Sequence, residues 1–250
     1  MHSINCGEIW GGIYGRDLDV CTSGIEASLF SSACMSGKGG DIYYISVCGS
    51  DLLTKIAIAD VTGHGQEVSE TSQCLYDSLK NRMNEMESNL VLCDMNNVAV
   101  EYGFNAITTA AIATFSRINH FIYFSYAGHH PILVKDSVKQ QWSNLELPSA
   151  GRVANVPLGI SKDLPYDIAS QKVNKGDLLF LYTDGVVEAK NSEGELFGES
   201  KLLAVLNAAS NNIKAIEDSV LTALLEHTGD KLEHDDVTFM AIRIREEMPE

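Results

Sequence analysis

The hydrophobic period of the chain changes repeatedly, and each change marks an element. Residues 41–48 and 52–60 both read as strands, and only Gly49, Ser50 and Asp51 separate them. That spacing predicts a hairpin with a very tight turn. If Ser50 and Asp51 form the turn, Asp41 stands directly opposite Asp60; if Gly49 and Ser50 form it, the two are one diagonal step apart. Tyr43, Ile45 and Val47 share a face with Asp41, and Ile58, Ile56 and Thr54 share one with Asp60, so a slip of one residue would split the apolar face. Beyond the hairpin the period lengthens. Val68, Ser72, Leu75, Leu79, Met83 and Met86 recur at steps of three and four, with Glu67 and Glu70 early and Lys80 and Arg82 late, which predicts an amphipathic helix oriented to suit its dipole. A second helix is expected to start at Ser88, carry Val91, Met95 and Val98 inward, and stop at Gly103.

Strand patterns then resume: 105–116 with 120–127 as a second hairpin, 131–135 with 138–142 as a short third pair, and 166–173 with 178–183 around the Lys175-Gly176-Asp177 turn. Between them, 145–159 is a loop punctuated by Pro148, Gly151 and Pro157. Helices are expected over 199–209 and 212–227, and a closing strand over 237–244. Glycines break up the first 37 residues, for which one or two short strands on the domain edge are expected. The domain reading is thus an extension over 1–36 packed on a main domain over 37–246. Strands, a helix pair, strands, a helix pair and a last strand describe an α+β domain whose helix pairs cover a mainly antiparallel sheet system.

Composition narrows the function classes. The 250 residues hold no Pro- or Ser-rich linker, which favours one domain with a substantial core. A formal net charge of -16 argues against a nucleic-acid binder, whose affinity comes from neutralising phosphates with Lys and Arg. Cys6, Cys21, Cys34, Cys48, Cys74 and Cys93 are widely spaced without a Cys-x-x-Cys, neither a zinc framework nor a disulfide scaffold, and read as thiols of a reducing compartment. There is no basic-then-apolar leader and no run near the roughly 20 apolar residues a bilayer span needs. The expectation is a cytoplasmic protein with no membrane contact.

The candidate chemistry is acidic. Like charges opposite each other on a strand pair are destabilising, so Asp41 and Asp60 read as half of a metal site. Asp184 follows the apolar run 178–183, and Asp235 and Asp236 precede the run 237–242. The end of one antiparallel strand and the start of another share an edge, so these carboxylates are expected to converge on one sheet rim. Every candidate ligand is an oxygen donor with no His or Cys placed to join, which favours Mg2+ or Mn2+. Four carboxylates suit two ions about 4 Å apart that hold a phosphoryl group and activate a water. Asp235 and Asp236 are adjacent and point to opposite faces of a regular strand, so at most one faces the ions, and spacing does not choose between them.

Six motifs in order carry a family likeness: Gly39-Gly40-Asp41, Ala59-Asp60-Val61-Thr62-Gly63-His64-Gly65, Ala127-Gly128-His129-His130-Pro131, Pro157-Leu158-Gly159, Tyr182-Thr183-Asp184-Gly185 and Asp235-Asp236-Val237-Thr238. From about Ser36 to Ile244 the chain resembles the metal-dependent type 2C (PPM-type) serine/threonine protein phosphatases, in their bacterial SpoIIE-like branch. The resemblance implies a four-layer α-β-β-α sandwich with two Mn2+ or Mg2+ ions at one end. By motif position the ligands would be Asp41, Asp60, the backbone carbonyl of Val61, Asp184 and Asp235, with Asp236 as the alternative to Asp235. It further implies hydrolysis of phosphoserine or phosphothreonine by a water that the ions activate, on substrates such as phosphorylated STAS-domain anti-anti-sigma factors in partner-switching signalling. A catalytically idle, phosphoprotein-binding module of the same fold is the alternative.

The chain departs from the branch at Ala59, where Gly is frequent, and at Tyr44, where an acidic residue is frequent. Two roles stand for His64, proton donor to the leaving oxygen or packing within a Gly-flanked turn; His129 and His130 read as loop-shaping. Gly63 and Gly65 are expected to turn the chain after Asp60 and aim the Val61 carbonyl at a metal. Arg16 and Lys38 are the basic residues near the first motif, and neither falls in a phosphate-anchor pattern.

Overall fold

The first hairpin uses both of its faces. A computed structural model of the chain describes residues 2–34, 38–63, 66–103, 107–148 and 156–245. In it β5 (Lys38–Val47) and β6 (Leu53–Val61) pair antiparallel, with Ile42 opposite Ala59 and Val47 opposite Thr54. One more step of this register sets Asp41 across from Asp60. The Cys48 amide donates to the Leu53 carbonyl at 3.0 Å, and Asp51 takes a φ of 57°, which centres the turn on Ser50 and Asp51. Tyr43, Ile45, Val47, Ile56 and Ile58 face one core, and Ile42, Tyr44, Ala57 and Ala59 face another.

The remaining strands are β1 (His2–Ser3), β2 (Ile9–Tyr14), β3 (Arg16–Cys21), β4 (Ile25–Ser32), β7 (Thr108–Ser116), β8 (Phe121–Ala127), β9 (Leu133–Lys135), β10 (Trp142–Asn144), β11 (Ala169–Lys172), β12 (Leu178–Tyr182) and β13 (Val237–Ile244). They form two sheets, ordered β1-β3-β4-β13-β12-β9-β10 and β11-β8-β7-β6-β5-β2, antiparallel except where β1 meets β3. Leu29, Leu179, Leu181, Met240 and Ile242 of the first sheet meet Tyr43, Ile45, Ile56 and Ile58 of the second in the core between them. Helices α1 (Gln66–Asn81) and α2 (Ser88–Tyr102) cover the outer face of the six-stranded sheet through Leu75, Leu79, Val91 and Met95. On the other side α4 (Gly198–Ala208) and α5 (Ile213–Thr228), with the single turn α3 (Asp184–Val187), cover the seven-stranded sheet through Leu202, Leu206, Ile216, Val220 and Val186. The result is the expected four-layer α-β-β-α sandwich. No helix among the described residues is long and apolar enough to cross a membrane.

Several elements differ from expectation. The first 34 residues supply four strands rather than one or two, and β4 is interior, paired along its length with β13 from Ile25 opposite Ile244 to Ser32 opposite Val237. Ala27 and Leu29 are fully buried, so these positions are core and not edge. The expected boundary at 36/37 lies outside the described residues, but strands that precede it belong to both sheets. Asp136 Oδ1 accepts from the Val138 and Lys139 amides at 2.8 Å, which makes a turn there and moves β10 to Trp142. The strands β11 and β12 flank one turn yet part company, β11 to β8 and β12 to β9 and β13. Helix α1 ends at Asn81, leaving Met83 and Met86 in the connection to α2.

That connection is pinned by a buried cation. Lys55 on β6 is 1% exposed and donates from Nζ to the carbonyls of Arg82 at 2.6 Å and Glu85 at 2.5 Å. Burial lowers its pKa to about 8, against the opposing pull of Glu85. A lysine depressed on folding binds its proton more tightly in the unfolded chain, so the burial cost stands below pH 8 and is relieved as pH rises towards the unfolded value. In denaturant unfolding of wild type and Lys55→Met at pH 7.5 and pH 10, the stability difference should move in favour of wild type by about 2 kcal/mol at the higher pH. A difference that stays flat with pH would mean that the ammonium is solvated.

Candidate metal centre

The acidic residues come from two sheets. Asp41 and Asp60 lie at one end of β5 and β6, while Asp184 follows β12 and Asp235 and Asp236 precede β13 in the facing sheet. The carboxylates therefore gather where two stacked sheets end together, and not on one shared rim as the strand-order argument held. Direct hydrogen bonds join the sheets there. Thr183 Oγ1 donates to Asp41 Oδ2 at 2.9 Å, and the hydroxyl is itself held by the Thr238 amide at 3.1 Å.

Asp236 makes the second tie. It is buried; its Oδ1 accepts from the Cys34 amide at 2.7 Å, and its Oδ2 accepts from the amides of Gly40, at very short range, and Asp41, at 3.4 Å. This close approach explains the Gly39-Gly40 pair. A Cβ on Gly39 would run into Asp236 Oδ2, and one on Gly40 would lie 2.6 Å from the Val61 carbonyl oxygen. The Val61 carbonyl thus packs against the backbone beside Asp41. Gly63 takes a φ of 114°, the conformation a turn after Asp60 calls for. His64 and Gly65 lie outside the described residues.

The electrostatics are those of crowded like charges. Asp41 is 3% exposed and its Oδ1 has no hydrogen-bond partner; burial first, and then the charge of Asp60, hold its pKa well above the usual carboxylate range. Asp60 is pushed up to about 8 by burial, then by Asp184, Asp235, Asp236 and Glu188. Asp184 is raised by burial, then by Asp235 and Glu188, with His130 opposing. Asp235 is raised by burial and, after the opposing hydrogen bond from the Asp236 amide, by Asp236 and Glu188. Asp60 is the hub, within electrostatic reach of Asp41 on one side and Asp184 and Asp235 on the other; Asp236 adds its charge to Asp41 and Asp60 while its oxygens are held by backbone amides.

One residue at this end, Glu188, is not singled out by the sequence, while His129 and His130 fall in the Ala127-Gly128-His129-His130-Pro131 motif. Glu188 is exposed, and its amide donates to the Asp184 carbonyl at 2.8 Å, one helical turn on. The spacing of four after Asp184 was the available signal, hidden because α3 was not expected. His130 stacks on Tyr182 with 5.2 Å between ring centroids, and its Nδ1 lies 3.3 Å from Glu199 Oε1. His129 is buried with Nδ1 3.0 Å from the His130 carbonyl, and burial lowers its pKa to about 4.

The donor set fits a hard divalent cation. It offers a buried carboxylate oxygen without a donor, three further carboxylates whose pKa values burial and then neighbouring acids raise, and only oxygen ligands. Among the described residues no three His, Cys, Asp or Glu side chains stand closed around a single ion-sized point.

Residues 51–245 match the family model described as Stage II sporulation protein E (SpoIIE). Among curated relatives, Phosphoserine phosphatase RsbU of Bacillus subtilis (strain 168) is 29% identical over 197 residues, covering 75% of this chain and 55% of RsbU. Protein IcfG of Synechocystis is 24% identical over 228 residues, covering 90% of this chain and 32% of IcfG. The chain thus spans less than two thirds of either relative. Three solved structures share the fold: the RsbU and RsbW domains of Rv1364c from Mycobacterium tuberculosis (TM-score 0.74, 18% identity, 95% of this chain and 64% of that one), the PP2C phosphatase domain of Bacillus subtilis SpoIIE with a fragment of its regulatory domain (0.70, 20%, 90% and 63%), and RsbX in complex with magnesium (0.66, 16%, 92% and 100%). A family model that spans most of the chain, and a helix-covered double sheet shared with these structures, show that the chain belongs to the SpoIIE family of PP2C-type phosphatase domains.

Proposed function

We propose that the chain is a metal-dependent phosphoprotein phosphatase that hydrolyses phosphoserine or phosphothreonine at the end of the sandwich, with two Mn2+ or Mg2+ ions as cofactors. The observation that carries this reading is the unpartnered, buried Oδ1 of Asp41 in the company of Asp60, Asp184 and Asp235, each held above its ordinary pKa by burial and then by neighbouring acids. The ligands would be these four carboxylates and the Val61 carbonyl. When bound, such ions offset the carboxylate charge, orient a phosphoryl group and make water a better nucleophile.

The chain's own residues supply the rest. Thr183 fixes one oxygen of Asp41 and leaves the other free for a ligand. Asp236 anchors the backbone of Gly40 and Asp41, so its part is to position Asp41 rather than to ligate. The name of RsbU, a phosphoserine phosphatase, supports the substrate class, and the magnesium of RsbX supports the ion class. Within that class a phosphorylated STAS-domain anti-anti-sigma factor is the specific candidate, as the SpoIIE-like branch implies, and such a substrate places the reaction in the cytoplasm.

Two measurements test this. Purified chain with Mn2+ should release phosphate from a phosphoserine peptide, and Asp184→Asn should lower that rate by more than about a hundredfold. Wild type that binds Mn2+ without turnover would favour the idle module, and faster turnover of metabolite esters than of phosphopeptides would favour a small-molecule phosphatase. Asp60→Asn should have opposite effects with and without metal. Removing one repelling charge should stabilise the metal-free protein by on the order of 1 kcal/mol, while the rise in Tm that Mn2+ gives wild type should shrink or vanish. A variant that keeps the full Mn2+-induced rise would remove Asp60 from the ligand set.

A further inference from the structure

An early turn of the chain crosses from one sheet to the other, and two thiols lie where it crosses. Before the turn, the Ile4 amide donates to the carbonyl of Cys21, the last residue of β3 in the seven-stranded sheet, at 2.8 Å. After it, the Gly7 amide donates to the Val47 carbonyl at 3.0 Å and the Val47 amide to the Glu8 carbonyl at 3.1 Å, which joins the chain to β5 of the six-stranded sheet. The turn is closed by the Glu8 amide on the Asn5 carbonyl at 3.0 Å, with Gly7 at a φ of 82°. Cys6 within it is exposed, yet its Sγ lies 3.4 Å from the carbonyl oxygen of Cys48. Cys48 directly follows β5, so the pair sits at the far end of that strand from Asp41.

The Cys48 sulfur is held in place. It accepts from the Leu53 amide at 3.2 Å and lies 3.1 Å from Ser50 Oγ. The hairpin turn that carries it is anchored from outside: Arg117 donates to the Asp51 carbonyl at 2.8 Å and to Asp51 Oδ2 at 2.9 Å, and the Ser23 hydroxyl donates to Asp51 Oδ1 at 2.5 Å. Burial raises the Cys48 thiol, but hydrogen bonds from Ser50, Leu53 and Leu52 outweigh it and bring its pKa below the ordinary cysteine value. Donors around a sulfur favour the thiolate, the form that attacks another sulfur. We propose that Cys6 and Cys48 are a reversible disulfide site, at which a peroxide oxidises the exposed Cys6 and Cys48 closes the bond. The Cys6 sulfur takes one oxygen as the O–O bond of hydrogen peroxide breaks, giving a sulfenic acid and water. The Cys48 thiolate then attacks that sulfur; the S–S bond forms, the S–O bond breaks, and the departing hydroxide takes up the proton that Cys48 released. Together, two thiols and one hydrogen peroxide give one disulfide and two waters. The bond staples the crossing of the chain to the first hairpin and closes a loop whose ends are 42 positions apart.

The test treats the reduced chain with a small excess of hydrogen peroxide and reads mass, linkage and melting, none of which depends on phosphatase activity. The intact mass should fall by two hydrogens, and an unreduced digest should hold one peptide pair joined through Cys6 and Cys48. Tm should rise by roughly 5 °C, and dithiothreitol should reverse all three changes. Cys6→Ser should match wild type in Tm when reduced and show none of the three on oxidation. Cys48→Ala should instead strand Cys6 as a sulfenic acid, with dimedone labelling at least about tenfold above that of oxidised wild type. A bond from Cys6 to Cys21, or between two chains, would overturn the proposal. So would a wild type that keeps its mass, or whose Cys6 labels with dimedone as strongly as in Cys48→Ala.

Discussion

Repulsion among carboxylates is the constraint around which the sandwich is arranged. Asp41, Asp60, Asp184 and Asp235 would separate or protonate if left to themselves, since burial first and neighbouring acids second raise the pKa of each. What keeps them in place is backbone. Asp41 and Asp60 sit on paired interior strands, with β7 and β2 continuing the sheet on either side, so neither carboxylate can retreat without breaking a ladder. Asp184 is set by the Thr183 amide donating to the Thr238 carbonyl at 2.9 Å, which fixes the point where β12 gives way to α3. A cluster so strained in the metal-free chain and so firmly held is suited to capture cations, because binding relieves a repulsion already built in and requires little rearrangement.

The two sheets meet at this end through few but well-buried contacts. Thr183 to Asp41 and Asp236 to the Gly40 amide both cross the sandwich, and the approach of Asp236 depends on Gly39 and Gly185, where a Cβ would run into it. The double Gly before Asp41 is therefore a packing requirement before it is a flexibility one. A side chain at Gly39 would press on Asp236 just ahead of β13, and one at Gly40 would press on the Val61 carbonyl of β6. The core beneath is conventional, with Ile45, Ile56, Leu181 and Met240 interdigitated between the sheets.

Much of this was legible in the sequence where period and register leave little freedom. The hairpin turn of Gly49, Ser50 and Asp51 is so short that only two registers existed, and the apolar face of Tyr43, Ile45 and Val47 allowed both, so geometry had to decide. The helix from Ser88 to Gly103 and the strand from Val237 to Ile244 carried clear start and stop signals and lie where expected. Less legible were features that depend on distant partners. The strand Ile25–Ser32 is interior because β13, more than two hundred residues later, lies alongside it, and no local pattern reveals that. Glu188 escaped for the same reason: it needs the turn α3 before its position has meaning. The gathering of carboxylates was expected, but on one rim; the order of strands in two sheets is a tertiary fact.

The Asp235-Asp236 pair divides its contacts just ahead of β13. Both residues precede β13, and the Asp236 amide donates to Asp235 Oδ1 at 2.8 Å. Asp236 turns inward to Cys34, Gly40 and Asp41 and is buried, whereas Asp235 is exposed and interacts with Glu188 and His234. Two adjacent acids thus divide the work, one fixing the backbone that carries Asp41 and the other adding its charge to the rim. Asp236, though held by amides, also adds its charge to Asp41 and Asp60, so both acids contribute to the crowding that a cation would relieve.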